Sequence, residues 1–330
     1  MSTPTPLVEI VSTGRYLPER ELTNDDLREF VETSDEWIRT RTGIVTRRLA
    51  REDELAAEMA AESSKIALER AGVEPGEVDA IIMSTATPDR LLPSTACDLQ
   101  ALIGADRAMA FDVQAACSGW LYAMSMGEGY LAAGRADTVL VVASEKMSAI
   151  LDWTDRTTCV LFGDGSGAAV LRRSDGSKGI LSSFHASDGR LAELLWRKSG
   201  GAKVPLTPER VAQREHLMLM SGREIFKSAV RSMAQACDEA LERAGLTGDD
   251  IDLMIPHQAN IRIIESTAKY AGIPMEKVYV NVDRYGNMSS ASIPIALDEA
   301  LEDGTIQPGM KVLSATFGAG LTWGAMVWQF

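Results

Sequence analysis

The chain has 330 residues, 45% apolar and 24% charged, enough to bury a sizeable core in two packed halves and too ordinary to be disordered or fibrous. Its net charge of −14 disfavours general binding to nucleic acid or to an anionic membrane. Cys97, Cys117, Cys159 and Cys237 form no C-x-x-C pair and only His185, His216 and His257 are present, so zinc ribbons, redox motifs and a metal site are not expected.

The stretch from Met1 to Glu9 lacks the basic-then-apolar pattern of a signal peptide, and no apolar run approaches the ~20 residues of a membrane span, which points to the cytoplasm. Small residues at Ala56, Ala60, Ser63, Ala67 and Ala71 recur at helical spacing up to Gly72, a common residue just past a helix end. A strand is expected over 78–83 and a buried strand over 108–111, turning at Asp112 into a helix over 120–134. Cys117 falls at or near that helix's start, where the macrodipole and unpaired N–H groups favour a thiolate. By itself such a residue is either a space-filling buried thiol or a nucleophile. Gly163, Gly165 and Gly167 sit in a region, 159–171, that reads as a tight hairpin rather than a phosphate loop, since no G-K-[ST] follows. A polar stretch, 174–216, separates the halves, with His185 and His216 expected on its surface.

Residues 67–86 (ALERAGVEPGEVDAIIMSTA) and 240–259 (ALERAGLTGDDIDLMIPHQA) are identical at nine of twenty positions, 173 residues apart. The pattern before them repeats as well, at Ala229, Met233, Ala236, Ala240 and Ala244, ending at Gly245. A duplicated α/β unit is the reading, with halves 1–173 and 174–330. The repeat puts His257 just beyond a strand at 251–255, at the position matching Ser84. Residues beyond the carboxyl ends of strands collect at active sites of open α/β sheets, so His257 is a candidate acid/base. A strand over 278–282 leads to Asn287, a turn or cap residue on its own evidence. The ending Thr316-Phe317-Gly318-Ala319-Gly320-Leu321-Thr322-Trp323-Gly324 places glycines between two strand-like runs, for close packing or for an N–H facing a reacting carbonyl.

Together these stretches resemble the thiolase superfamily, and most closely the β-ketoacyl-acyl carrier protein synthase III family. The likeness begins at Gly14-Arg15-Tyr16-Leu17-Pro18-Glu19 and Thr33-Ser34-Asp35-Glu36-Trp37-Ile38 and covers essentially the whole chain. Ala115-Ala116-Cys117-Ser118-Gly119 looks like the nucleophile motif. Pro256-His257-Gln258-Ala259-Asn260 and Gly286-Asn287-Met288-Ser289 look like the histidine and asparagine motifs. Thiolases carry a second cysteine near the C-terminus and elongating ketosynthases a second histidine; Asn287 and the absence of a cysteine after Cys237 fit the initiating type.

The resemblance implies a five-layered αβαβα sandwich and a decarboxylating condensation of an acyl-CoA primer with malonyl-acyl carrier protein, through an acyl-Cys117 intermediate. It casts Cys117, His257 and Asn287 as catalytic, Ala319 (where relatives usually have Gly) as an oxyanion donor beside Gly318, and Phe317 as the pocket's shield. Leu92 falls where acetyl-selective relatives often have Phe, at the end of the acyl pocket. Trp37, Arg41, Arg156 and Asn260 match residues that hold CoA. Arg223, Lys227, Arg262 and Lys269 match a basic rim for the acidic carrier protein. No cofactor is implied, acyl-CoA being a substrate, and a homodimer is. The competing readings are a relative in secondary metabolism using a specialised acyl-CoA or malonyl-CoA, and a non-catalytic acyl-carrier binding protein.

Overall fold

The structure is a computed structural model that describes residues 4–330; Met1 to Thr3, the beginning of the opening stretch read above, lie outside the described residues. Two sheets form its frame. The first has the order β1 (Val8–Tyr16), β7 (Asp164–Arg173), β6 (Val139–Lys146), β4 (Ala80–Ser84) and β5 (Met109–Val113). The second has the order β8 (Gly179–Ser187), β13 (Thr322–Gln329), β12 (Lys311–Gly318) and β11 (Leu253–Met254). Two short hairpin-like pairs lie outside them: β2 (Arg20–Thr23) with β3 (Thr46–Leu49), and β9 (Leu195–Arg197) with β10 (Met218–Met220).

The duplication is visible strand by strand. In each sheet the two strands at one side are antiparallel (β1 on β7, β8 on β13), the next pair is antiparallel (β7 on β6, β13 on β12), and the following pair is parallel (β6 on β4, β12 on β11). The fifth member is β5 in the first sheet, parallel to β4. In the second sheet it has shrunk to one parallel bridge between Met254 and Val278. The strand expected over 278–282 is therefore reduced to that bridge, and the chain instead makes a short helix, α8 (Val282–Tyr285).

Helices fill three layers around the sheets. Over the outer face of the first lie α2 (Ala56–Ala71) and α3 (Thr95–Ile103), whose Ala60, Ala67, Ala96 and Leu99 join the core beneath them. Over the second lie α6 (Gly222–Ala244) and α7 (Ile261–Tyr270), with Ala229, Met233, Ala240 and Ile263 doing the same. Between the sheets run α4 (Gly119–Ala132) and α9 (Ser292–Glu302), which bury Trp120, Met124, Ile295 and Leu297 in the shared central core. Strands covered on both faces need continuous apolar runs, and β4 (Ala-Ile-Ile-Met-Ser) is buried at every position. Both α2 and α6 stop at a left-handed glycine, Gly72 at φ 62° and Gly245 at φ 67°.

Further expectations are corrected. No hairpin forms over 159–171; Asp164–Arg173 is one unbroken strand, β7. Its glycines answer a packing demand instead. A Cβ on Gly167 would lie 2.7 Å from Pro294 Cβ, so α9 can approach β7 only over a residue without a side chain. The polar stretch 174–216 is not merely a separator, because it supplies β8 to the second sheet as well as β9 and the short α5 (Pro208–Ala212). His185, expected at the surface, lies on β8 with its ring 4.8 Å from that of Tyr122 and Nε2 2.6 Å from Ser125 Oγ. His216 is half-buried. Among the described residues no helix is long and apolar enough to cross a membrane. Gly167→Ala is expected to lower unfolding free energy by about 1–3 kcal/mol, the usual range for overpacking, measured by urea denaturation.

Candidate active site

Cys117 occupies a single 3₁₀ turn, Ala116–Ser118, between β5 and α4. Ala116 holds φ at 46°, a left-handed conformation that costs a non-glycine residue energy and commonly marks a functional site. The matching place in the second half, 173 residues on, is another 3₁₀ turn, Ser289–Ala291, which leads into α9 and starts at Ser289 with φ 48°. The two turns face each other between the sheets: a Cβ on Gly119 would touch Ser84 and come within 3.7 Å of Ser290 Cβ.

The β12–β13 hairpin closes on the Cys117 turn from the second sheet. Thr316 Oγ1 donates to the Cys117 carbonyl at 2.7 Å, and Thr322 Oγ1 lies 3.0 Å from the Ala115 carbonyl and 3.1 Å from that of Ala319. A Cβ on Gly318 would lie 2.7 Å from the Cys117 nitrogen, so glycine there is what lets the hairpin reach the turn. Ala319 is half-buried at the tip and Phe317 is 5% exposed.

Asn287 is pinned by its backbone, its N–H donating to Leu161 O at 2.8 Å and its carbonyl accepting from Gly163 N at 3.1 Å. Its Oδ1 accepts the N–H of Ser289 at 2.8 Å, which leaves the amide NH₂ as a donor. His257 follows β11, its N–H bonded to Ala315 O at 2.8 Å. Its Nδ1 lies 2.7 Å from Ser292 Oγ. Cys117, His257, Asn287 and Phe317 line one pocket, walled on the far side by Ile225, Phe226 and Met233 of α6 and by Leu195 and Met220.

Burial sets the charges here. It pushes the Cys117 thiol up to about 12, against the opposing pull of the Ser289 side chain. Burial thus works against the thiolate expected from the helix start. Burial likewise brings His257 down to about 4, so its imidazole is neutral at physiological pH.

Of the residues matched to CoA, Trp37 lies on α1 (Asp35–Thr42) with the guanidinium carbons of Arg41 and Arg156 at 4.5 and 4.6 Å from its ring. These three stand together. Asn260 lines the pocket, but its amide caps α7 by accepting from Arg262 N at 2.9 Å and donates to Arg41 O at 3.0 Å. Arg223, Lys227, Arg262 and Lys269 are all exposed, on the neighbouring α6 and α7, and among the described residues none of them makes an ion pair. Leu92 is not brought to the pocket: in the single chain its side chain is 86% exposed, beside Leu91 at 82%.

Three residues important to this geometry had no signal in the motifs. Glu145, fully buried on β6, accepts from Ser290 Oγ at 2.7 Å, Ala86 N at 2.9 Å and Thr87 Oγ1 at 3.1 Å, and so anchors the Ser289–Ala291 turn. Arg47, also fully buried, donates to Val160 O at 2.8 Å and to Asn24 Oδ1 at 2.9 Å, bracing the segment whose Leu161 holds Asn287. Ser292 holds His257. The 173-residue offset, carried forward from the helices to Ala116 and Gly119, would have pointed to Ser289 and Ser292.

In a titration followed by imidazole NMR, His257 is expected to remain neutral from pH 8 down to about 5, whereas an open histidine protonates near 6.5. Burial penalises only the charged form, so the shift is downward.

A model of the 3-oxoacyl-[acyl-carrier-protein (ACP)] synthase III family matches residues 111–189, and a model of that family's C-terminal part matches residues 241–330. The chain is 49% identical to the beta-ketoacyl-[acyl-carrier-protein] synthase III of Caldanaerobacter subterraneus, over 96% of either chain. Among solved structures, the 3-oxoacyl-[acyl-carrier-protein] synthase III of Aquifex aeolicus is similar with a TM-score of 0.90 and 46% identity, covering 98% of this chain and 100% of that one. The priming beta-ketosynthase of the R1128 polyketide pathway is similar with a TM-score of 0.91 and 35% identity, covering 100% and 98%. These likenesses run over nearly the full length, and the chain belongs to the β-ketoacyl-[acyl-carrier-protein] synthase III family of condensing acyltransferases.

Proposed function

We propose that the chain starts fatty acid synthesis by condensing an acyl-CoA primer with malonyl-acyl carrier protein, losing CO₂ and forming a 3-oxoacyl-acyl carrier protein. The observation that carries this reading is the convergence of Cys117, neutral His257 and the amide of Asn287 on one apolar pocket. In the first stage the Cys117 sulfur attacks the thioester carbonyl and CoA departs as the thiol. The backbone N–H groups of Cys117 and Ala319 stabilise the developing oxyanion, a role in which the Ala319 methyl is not involved. In the second stage malonyl-acyl carrier protein loses CO₂. Donors from Asn287 and His257 hold the enolate oxygen, its carbon attacks the acyl group, and Cys117 leaves. Phe317 keeps water out.

Around this centre, Trp37, Arg41 and Arg156 take the CoA adenine end by stacking and charge, and Asn260 lies along the pantetheine arm. Arg223, Lys227, Arg262 and Lys269 form a local reversal of the −14 charge that receives the acidic carrier protein. The working unit is a homodimer. The unpaired edge of β5 and the exposed Leu91 and Leu92 support this, since such an edge and apolar pair call for cover. Leu92 of a second copy then ends the acyl pocket, and its size relative to Phe admits primers longer than acetyl. No cofactor is needed, and the cytoplasm is the compartment. The R1128 likeness favours a second reading, a priming enzyme of secondary metabolism; activity with malonyl-CoA but not with malonyl-acyl carrier protein would support it.

Asn287→Ala is expected to lower condensation by about 10²–10³ while acylation of Cys117 by acetyl-CoA continues, because the lost donor serves only the enolate. Equal loss of both stages would remove Asn287 from that role. Arg262→Glu should raise KM for malonyl-acyl carrier protein and leave KM for acetyl-CoA unchanged; an unchanged carrier-protein KM takes Arg262 out of the rim.

A further inference from the structure

Beside His257 in the loop after β11 stands a second polar side chain that is completely buried, Gln258. Its amide has a partner for every hydrogen and lone pair. Nε2 donates to Pro256 O at 2.8 Å and to Tyr279 O at 3.1 Å. Oε1 accepts the N–H of Asn281 at 2.9 Å and that of Val282 at 3.2 Å. A primary amide offers two donors and two acceptors, so two carbonyls at one end and two N–H groups at the other fix which way round it sits. The segment it grips is where the two halves differ. Ile81 and Met254, equivalent under the repeat, pair with Ala110 and Val278. From there the first half runs directly to Cys117, whereas the second takes five more residues to reach Ser290. The extra length is taken up by α8, the single turn that leads into Asn287. The Gln258 side chain stands in for the strand pairing lost there, since it satisfies backbone groups of Tyr279, Asn281 and Val282. From the other side Glu299 of α9 accepts from Asn281 Nδ2 at 2.8 Å and from both terminal nitrogens of Arg284 at 3.0 Å.

We infer that Gln258 is the positioning residue that sets Asn287 against His257, by clamping the start of α8 to the loop in which His257 lies. The stage it serves rests on the condensation proposed above, in which both side chains hold one enolate oxygen. Both line the pocket, but they reach it on different segments. His257 is tied by its backbone to Ala315 of β12, and Asn287 by its backbone to Leu161 and Gly163. Gln258 joins the two segments directly. Val282, which it grips, accepts the Gly286 N–H at 3.0 Å, and Asn287 is the next residue. Two donors that share one oxygen need this kind of fixed spacing, because a misplacement of about 1 Å can cost about 10²-fold in rate. Cys117 lies on the turn Ala116–Ser118 of the first half, outside the clamp. Gln258 therefore acts on the second stage and not on acylation.

The test compares Gln258→Glu and Gln258→Met with the unsubstituted protein in two assays. One is acylation of Cys117 by acetyl-CoA, read by peptide mass spectrometry. The other is malonyl-CoA decarboxylation, read as CO₂ release in a Cys117→Ala background where no acyl group intervenes. At a pH of about 8 both substitutions are expected to lower kcat for decarboxylation by about 10²-fold, leave KM for malonyl-CoA unchanged, and leave acylation close to the wild-type rate. A carboxyl group facing two carbonyls regains a donor when it is protonated. The deficit of Gln258→Glu therefore shrinks as pH falls from about 8 to about 6, and that of Gln258→Met does not. Decarboxylation at the unsubstituted rate overturns the inference. So does a loss of acylation equal to the loss of decarboxylation, which would mark Gln258 as merely structural. Amide hydrogen exchange reads the clamp apart from the reaction: Gln258→Glu at the higher pH is expected to exchange faster over 281–286 and unchanged along β12. Should the Cys117→Ala protein itself release no CO₂ from malonyl-CoA, the proposed condensation fails and exchange decides. Faster exchange over 281–286 then keeps Gln258 as the clamp on the Asn287 segment, and unchanged exchange removes it.

Discussion

The turns Ala116–Ser118 and Ser289–Ala291 meet between the two sheets, largely buried, and each starts with a residue forced into left-handed backbone. Because the meeting place is buried, charged forms are disfavoured there. The same desolvation pushes the Cys117 thiol up and the His257 imidazolium down. Ser290 turns to Glu145, Asn287 to Ser289, and Ser292 to His257.

Duplication explains why the site is assembled from both halves. The strand order and pairing directions recur in the two sheets, and the two turns fall 173 residues apart. The halves have diverged at those equivalent places. Where the first carries Cys117, the second carries Ser290, bound to a buried carboxylate. Where the second carries His257, the first carries Ser84, packed under Gly119. One copy of the turn thus carries the cysteine and the other anchors Asn287. The close contacts at Gly167 and Gly318 are what the convergence demands of the backbone.

Much of this could be read before any coordinates. The helical spacing of Ala56 to Ala71 and of Ala229 to Ala244, with their terminal glycines, gave two helices and the repeat, and the repeat set His257 beyond a strand end. Periodicity was less helpful where partners are distant in sequence. Gly163, Gly165 and Gly167 looked like a turn, and are instead glycines on and leading into a strand pressed by α9. The run at 278–282 has a strand's composition, yet it is left with a single bridge beside β11. Glu145 and Arg47 were invisible as site residues because charged side chains are ordinarily solvated, and only the fold reveals that both are fully buried. The burial that opposes a thiolate at Cys117 was hidden for a related reason: a helix start can be recognised in sequence, but the depth of its burial cannot.

The most direct measurement is a pulse and chase on Cys117. The chain is exposed to a mixture of acetyl-, butyryl-, isobutyryl- and octanoyl-CoA, freed of excess reagent, and then given malonyl-acyl carrier protein, with peptide mass spectrometry before and after. An acyl group found on Cys117 alone, and then recovered entirely as 3-oxoacyl-acyl carrier protein, is the predicted result. No adduct on Cys117, or an adduct that the carrier-bound malonyl group does not discharge, would contradict a buried thiol serving as the acyl acceptor of a decarboxylating condensation.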